Sequence, residues 1–184
     1  MKRCFIAFLV LLHNVSFCQQ KEAYVLHENK DYKFNILCPD KWEINENINE
    51  VVPFFFESPR DNENDFFREN VNAVVEISIG YTLNQYVDAL VSRLSSKLDN
   101  FKLHARAVSS DNSLSPVWII YDNAKGDLPL KFLSYFYKVD GNIFIITGSA
   151  KIEEFERYLP TFDVVCNSFK LISLSSVPPT KKSR

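Results

Sequence analysis

Between Val71 and Leu98 the spacing of apolar residues changes from a period of two to a helical period without a break, and this constrains the fold more than any other stretch. Val71-Asn72-Ala73-Val74-Val75-Glu76-Ile77-Ser78-Ile79 is rich in β-branched residues and ends in strict alternation. It predicts a strand with Val75, Ile77 and Ile79 on one face and Glu76 and Ser78 on the other. Such a face needs a covering layer. Gly80 breaks the strand, Thr82 is placed to cap the turn that follows, and Gln85 three residues later completes a capping-box pattern. Leu83, Tyr86, Val87, Leu90, Val91, Leu94 and Leu98 then recur at spacings of three and four, forming one apolar stripe on a helix. The stretch therefore predicts a helix lying on a sheet.

Residues 1–18 stand apart from the fold. Lys2 and Arg3 precede an apolar run, Cys4 to Leu12, that is too short to span a bilayer comfortably, which is the pattern of a secretory signal peptide. Three outcomes stay open. Cleavage can follow Cys18, with Ser16 and Cys18 as the small residues and Gln19 as the new first residue; Cys18 can become the lipidated first residue, for which Phe17 is a poor predecessor; or the segment can stay as an anchor. The expected location is periplasmic or extracellular, with membrane attachment through a lipidated Cys18 as the variant case. Residues 19–173 are expected to form one domain, and 174–184, with Pro178-Pro179 and the basic Lys181, Lys182 and Arg184, a disordered tail.

Removing Lys2 and Arg3 leaves 19 of the 21 basic residues against 23 acidic ones. A chain of this charge lacks the clustered Lys and Arg that bind nucleic acid. Two cysteines remain, Cys38 and Cys166, each inside an apolar pattern. They read either as two buried thiols or as a disulfide, whose long loop would contribute about 4–5 kcal/mol in the entropy model.

Along the chain, 23–27 and 32–38 predict a hairpin, with Tyr32, Phe34, Ile36 and Cys38 on one face and Pro39 ending the ladder. Trp42 precedes an Asn- and Glu-rich stretch, 43–50, expected to be solvated. Residues 51–57 predict a strand with Pro53 at an edge or bulge. Residues 101–108 and 116–121 predict two more strands, and 130–139 with 143–147 a tight hairpin turned by Asp140-Gly141-Asn142. Phe155, Leu159, Phe162, Cys166 and Phe169 return to helical spacing across Pro160, so a helix starting near Pro160, or a kinked one, is expected.

Chemistry-bearing patterns are sparse. His27 and His104 each sit in strand alternation and are expected at the surface, without metal-ligand spacing between them and the cysteines. The four glycines form no phosphate-cradling motif, and no serine stands in a nucleophile elbow. Asp61, Glu63 and Asp65 alternate as in a calcium loop, but Phe66 stands where the turn needs Gly and Asn72 where the bidentate Glu belongs, so a solvated turn is expected. No catalytic residue, metal or cofactor is assigned. Trp118, Tyr135 and Tyr137 fit cross-strand aromatic packing, or else the lining of a ligand pocket between sheet and helix.

Taken in order, the landmarks resemble the PsbP-like superfamily, which includes the extrinsic subunit of the plant oxygen-evolving complex, a Ran-binding nuclear import factor and exported bacterial proteins of the DcrB type. The resemblance is carried by Phe34-x-Ile36-x-x-Pro39-x-x-Trp42, Phe56-x-Ser58-Pro59 and Phe67-x-x-Asn70-Val71-Asn72, then by the helix with Leu83 and Tyr86. It continues through Tyr121, Asn142-Ile143-Phe144-Ile145-Ile146-Thr147, Phe155, Pro160-x-Phe162 and Ser168-Phe169. Leu114, Ser115 and Pro116 depart from it, since many relatives have Gly and small residues there. The resemblance implies an α+β fold, an αβα sandwich around a central antiparallel sheet, and binding or assembly roles without a shared catalytic motif.

The sequence thus leads to an exported, non-catalytic accessory or binding protein of the bacterial cell envelope, assembling on a larger complex. A carrier of a small apolar ligand, held by Trp118, Tyr135 and Tyr137, is the second reading, and a hydrolase with an unrecognised site the third. For the accessory reading the contact surface is expected in loops 58–70, with Asp61, Glu63 and Asp65, and 109–115.

Overall fold

The computed structural model describes residues 22–98, 100–109 and 115–172. The expected signal segment with Cys18, the expected tail 174–184 and residues 110–114 of the second contact loop lie outside them. The strands are β1 (Tyr24–Asn29), β2 (Phe34–Pro39), β3 (Glu43–Asn49), β4 (Val52–Glu57), β5 (Asn70–Ile77), β6 (Lys102–Arg106), β7 (Val117–Lys125), β8 (Leu128–Val139), β9 (Asn142–Lys151) and β10 (Lys170–Leu171). Two helices accompany them, α1 (Leu83–Lys97) and α2 (Phe155–Asn167). The sheets have the orders β1-β2-β10 and β3-β4-β5-β9-β8-β7-β6, and their pairings are antiparallel.

Alternation along the central strands builds a separate core on each face of the large sheet. Val117 and Ile119 of β7, Phe136 of β8 and Ile143 of β9 meet Val87 of α1, with Leu83, Tyr86, Leu90 and Val91 packed around them. Residues an odd number of positions away on β8 and β9, Leu133, Tyr135, Phe144 and Ile146, face the other way. There they join Val71 and Ala73 of β5 under α2 and the small sheet, with Phe34, Ile36, Phe162 and Val165. The architecture is the expected α+β sandwich of helix, antiparallel sheet and helix, the small sheet sharing the layer of α2.

Local chemistry sets the joints. Gln85 N–H donates to Thr82 Oγ1 (3.2 Å) and Thr82 N–H to Gln85 Oε1 (2.9 Å), so the capping box forms as its spacing predicts. The β8–β9 hairpin turns through Asp140 (φ 48°) and Gly141 (φ 79°), the two positive φ values that a two-residue turn matching the strand twist requires. On β9, α2 crosses so closely that a Cβ on Gly148 would lie 2.4 Å from Cγ of Phe162. Cys38 and Cys166 are free thiols, both buried. Burial pushes the Cys38 thiol up to about 12 and raises that of Cys166 as well.

Four local expectations change. The stretch expected to be solvated at 43–50 contributes β3, an edge strand whose ladder with β4 supplies backbone pairing that its polar side chains gave no sign of. Ile77 and Ile79 are 80% and 82% exposed, because Val75 is the last residue on that side of β5 to pack on the core and Ile77 pairs with Asn142 at the end of the ladder. Of the two alternatives at Pro160, a helix starting there does not form: α2 begins at Phe155 and runs through Pro160. Its first turn is held by Arg157 and Tyr158 N–H groups on the Glu154 carbonyl, and burial of Phe155 offsets the hydrogen bond that Pro160 cannot donate. Finally, His27, expected at the surface, is buried.

Candidate binding surfaces beside the second helix

The loop joining β4 to β5 is a braced structure. At its neck Ser58 N–H donates to the Glu69 carbonyl (2.8 Å). Arg68 crosses the neck, with Nε on the Ser58 carbonyl (2.5 Å) and its guanidinium reaching Glu43 (2.9 Å) and Glu57 (3.3 Å). At the tip Asp65 is only 6% exposed. Lys151 of β9 lies 3.2 Å from its Oδ1, Asp61 N–H donates to its Oδ2 (3.2 Å), and Arg60 donates to its backbone carbonyl. Burial pushes the Asp65 carboxyl up, but the Asp61 N–H, Lys151 and the Phe67 N–H together hold it below the usual carboxylate range. Nearby Glu69 is also buried, and desolvation, reinforced by the charge of Asp65, raises its pKa.

The three acids singled out in the sequence therefore divide. Asp61 and Glu63 are exposed, as a solvated turn requires, whereas Asp65 points inward and anchors the loop that carries them. Asp61 also touches α2, 3.3 Å from Arg157, which reaches Glu154 (3.4 Å) and lies over the Tyr158 ring at 5.2 Å. Beneath this pair a cleft of about 550 Å³ opens between α2, the loop and the turn after β2, lined by Asp40, Lys41, Trp42, Asp61, Arg157 and Tyr158 among others. Burial pushes the Tyr158 hydroxyl up to about 12; a phenol is protonated at neutral pH and has a proton to donate. The cleft offers donors, acceptors and charges of both signs, which suits a polar surface group. Sequence reading missed Arg157 and Tyr158, since nothing in their spacing announces that α2 crosses beside residue 61.

On the other flank of α2, Trp118 and Tyr135 stand opposite each other in the β7–β8 register. With Ile120, Leu133, Leu159, Pro160 and Asp163 they line an apolar groove of about 390 Å³. Tyr135 donates to Asp163 Oδ1 (2.5 Å). Tyr137, the third predicted pocket residue, is not among those lining the groove. Its ring stacks beside Tyr135 at 6.4 Å, but its hydroxyl donates to the Cys166 carbonyl (2.7 Å) under α2, and its ring packs on Phe169.

His104 is at the surface as expected, with Nε2 2.6 Å from Asp122 Oδ2. His27 is 7% exposed, because β1 turns it inward edge-on to Phe56 at 5.3 Å, leaving Nδ1 3.4 Å from Glu46. Nε2 has no hydrogen-bond partner among the described residues. Burial lowers the His27 pKa below its ordinary 6.5, against the smaller opposing pull of Glu46. As pH falls through 6.5 the unfolded chain takes up a proton that the folded chain refuses, so stability drops until the folded pKa is reached. Wild-type protein is therefore expected to lose stability between pH 7.5 and 5.5, by at most about 1.4 kcal/mol per pH unit from this group. His27→Phe is expected to lose less, a difference that urea denaturation at the two pH values measures.

No protein-family model matches the sequence, and no curated protein sequence matches it. Solved structures do match. Cyanobacterial PsbP (CyanoP) from Synechocystis sp. PCC 6803 superimposes with a TM-score of 0.59 at 16% identity, over 82% of this chain and 93% of that one. The fold is PsbP-like. Other solved structures match as well: LpqN, involved in cell envelope biogenesis of Mycobacterium tuberculosis, has a TM-score of 0.56 at 11% identity, covering 82% of this chain and 91% of its own. The Ran-binding protein Mog1p of Saccharomyces cerevisiae has a TM-score of 0.55 at 8% identity, covering 84% and 98%. At such identities the likeness establishes the PsbP-like fold and leaves function to the surfaces. Among the described residues no helix is long and apolar enough to cross a membrane.

Proposed function

We propose that this protein is an exported, non-catalytic accessory module of the bacterial cell envelope, which docks on a protein of a larger complex through the 58–65 loop and the adjoining cleft. Residues 1–18 support the export, by their charged start and short apolar run. The PsbP-like fold supports the accessory role, since it is shared with a protein of cell envelope biogenesis and with a Ran-binding protein. One observation carries the reading: Asp61 and Glu63 are exposed on a loop whose own Asp65 is locked to Lys151. A surface fixed before the encounter loses little conformational entropy on binding, and its charges steer a complementary partner.

The double variant Asp61→Asn/Glu63→Lys tests the reading. The Asp61–Arg157 pair is solvent-exposed, so its loss is expected to change stability by no more than about 1 kcal/mol. A protein retained stoichiometrically from envelope extract by the wild type is expected to be lost by the variant, with thermal melting essentially unchanged. Equal retention by both proteins would remove the loop from the interface.

A further inference from the structure

We propose that the groove between α2 and the β7–β8 strands receives an arginine side chain of a protein partner, with its guanidinium stacked on Trp118 and paired with Asp163. The floor and wall are apolar: Trp118, Ile120 and Leu133 from the sheet, Leu159 and Pro160 from the helix. Glu156, Leu159, Pro160 and Asp163 recur at helical spacing on α2, so that acids flank the apolar pair at both ends.

The charges around the groove do not cancel. Lys131 lies 3.9 Å from Glu156, and His104 lies 2.6 Å from Asp122, on the same side of β7 as Trp118 and Ile120. Asp163 has the Tyr135 hydroxyl, a neutral donor, and among the described residues no Lys, Arg or His forms an ion pair with it. The groove therefore sets a half-buried indole beside an exposed carboxylate at its rim, with which no cation among the described residues pairs. An uncharged apolar occupant would cover Asp163 and take away its water without replacing it. A guanidinium answers both features, because its plane stacks on an aromatic face while its N–H groups pair with a carboxylate, and its aliphatic stem covers Leu159 and Pro160. The groove lies across α2 from the 58–65 loop, and this inference does not depend on the loop being an interface.

The test uses the full folded domain and two peptides, Ac-Leu-Arg-Leu-NH2 and the same peptide with citrulline, which keeps the shape of arginine without its charge. Binding is read from the indole N–H resonance of Trp118, assigned with Trp118→Phe. The arginine peptide is expected to shift that resonance and to bind about tenfold more tightly than the citrulline peptide, a difference of about 1.4 kcal/mol. Asp163→Asn is expected to erase the difference by weakening the arginine peptide alone, and Asp61→Asn/Glu63→Lys to leave it intact. Should Asp163→Asn not fold, the two peptides on wild-type protein still decide. Equal affinity for the two peptides overturns the proposal, as does absence of a Trp118 shift. It is likewise overturned if n-octylammonium shifts Trp118 while the arginine peptide does not, which would assign the groove to a small amphiphile.

Discussion

Gly148→Ala is expected to destabilise the protein by about 3 kcal/mol, at the upper end for an overpacked core. The added methyl group has no room: its ideal position is 2.4 Å from Cγ, 2.7 Å from Cδ1 and 2.8 Å from Cβ of Phe162. Those atoms cannot swing aside as the tip of a surface side chain would. Phe162 is fully buried and held between Trp42 at 6.4 Å, Tyr158 at 6.0 Å and Phe155 at 6.1 Å. Relief requires α2 to lift from β9, which would also disturb both surfaces that flank it. Urea denaturation measures the loss, and Phe162→Ala provides the control. Alone it should cost about 3–5 kcal/mol, but combined with Gly148→Ala the total should fall short of the sum, because the second change removes Cγ and Cδ1, the two nearest atoms that the first collides with, and leaves only Cβ. A Gly148→Ala protein with the wild-type midpoint would mean that α2 does not lie this close.

The second large effect is expected at Asp65. Asp65→Ala removes a buried carboxylate that accepts from the Asp61 N–H and pairs with Lys151, and the loss should be about 2 kcal/mol. The pH dependence has a definite sign. Its folded pKa lies below the ordinary 3.8, so the contribution is complete above 3.8 and is lost as pH falls through the folded value. The stability difference between wild type and Asp65→Ala should therefore be full at pH 7 and shrink below pH 3.8. Denaturation curves at pH 7 and pH 3 check this. A neutral effect at pH 7 would show that the loop is not braced from within and that Asp65 belongs with Asp61 and Glu63 on its outer surface.

The fold was legible where local chemistry decides it. The capping box at Thr82 and Gln85, the stripe from Leu83 to Val91 and the Asp140-Gly141 turn each depend on residues within a few positions of one another. What escaped depends on distant segments. β3 is polar because it is an edge strand that finds its order in β4, and Ile77 lies outside because the covering layer ends before it does. The site shows the same division. Trp118 and Tyr135 could be paired in prospect because both lie in predicted strands, but Tyr137 was claimed by the underside of α2. Asp65 looked like its neighbours in sequence, and the cation that pairs with it inside the loop, Lys151, is 86 residues away.

A partner that docks on the loop 58–65 and the adjoining cleft would shield the amides there. Amide hydrogen exchange on the protein alone and on its captured complex tests this most directly. Slowed exchange at residues 60–65, 40–42 and 157–161, with α1 unchanged, is the predicted result. Slowed exchange confined to α1 and the outer face of β6, with the loop unaffected, would contradict it.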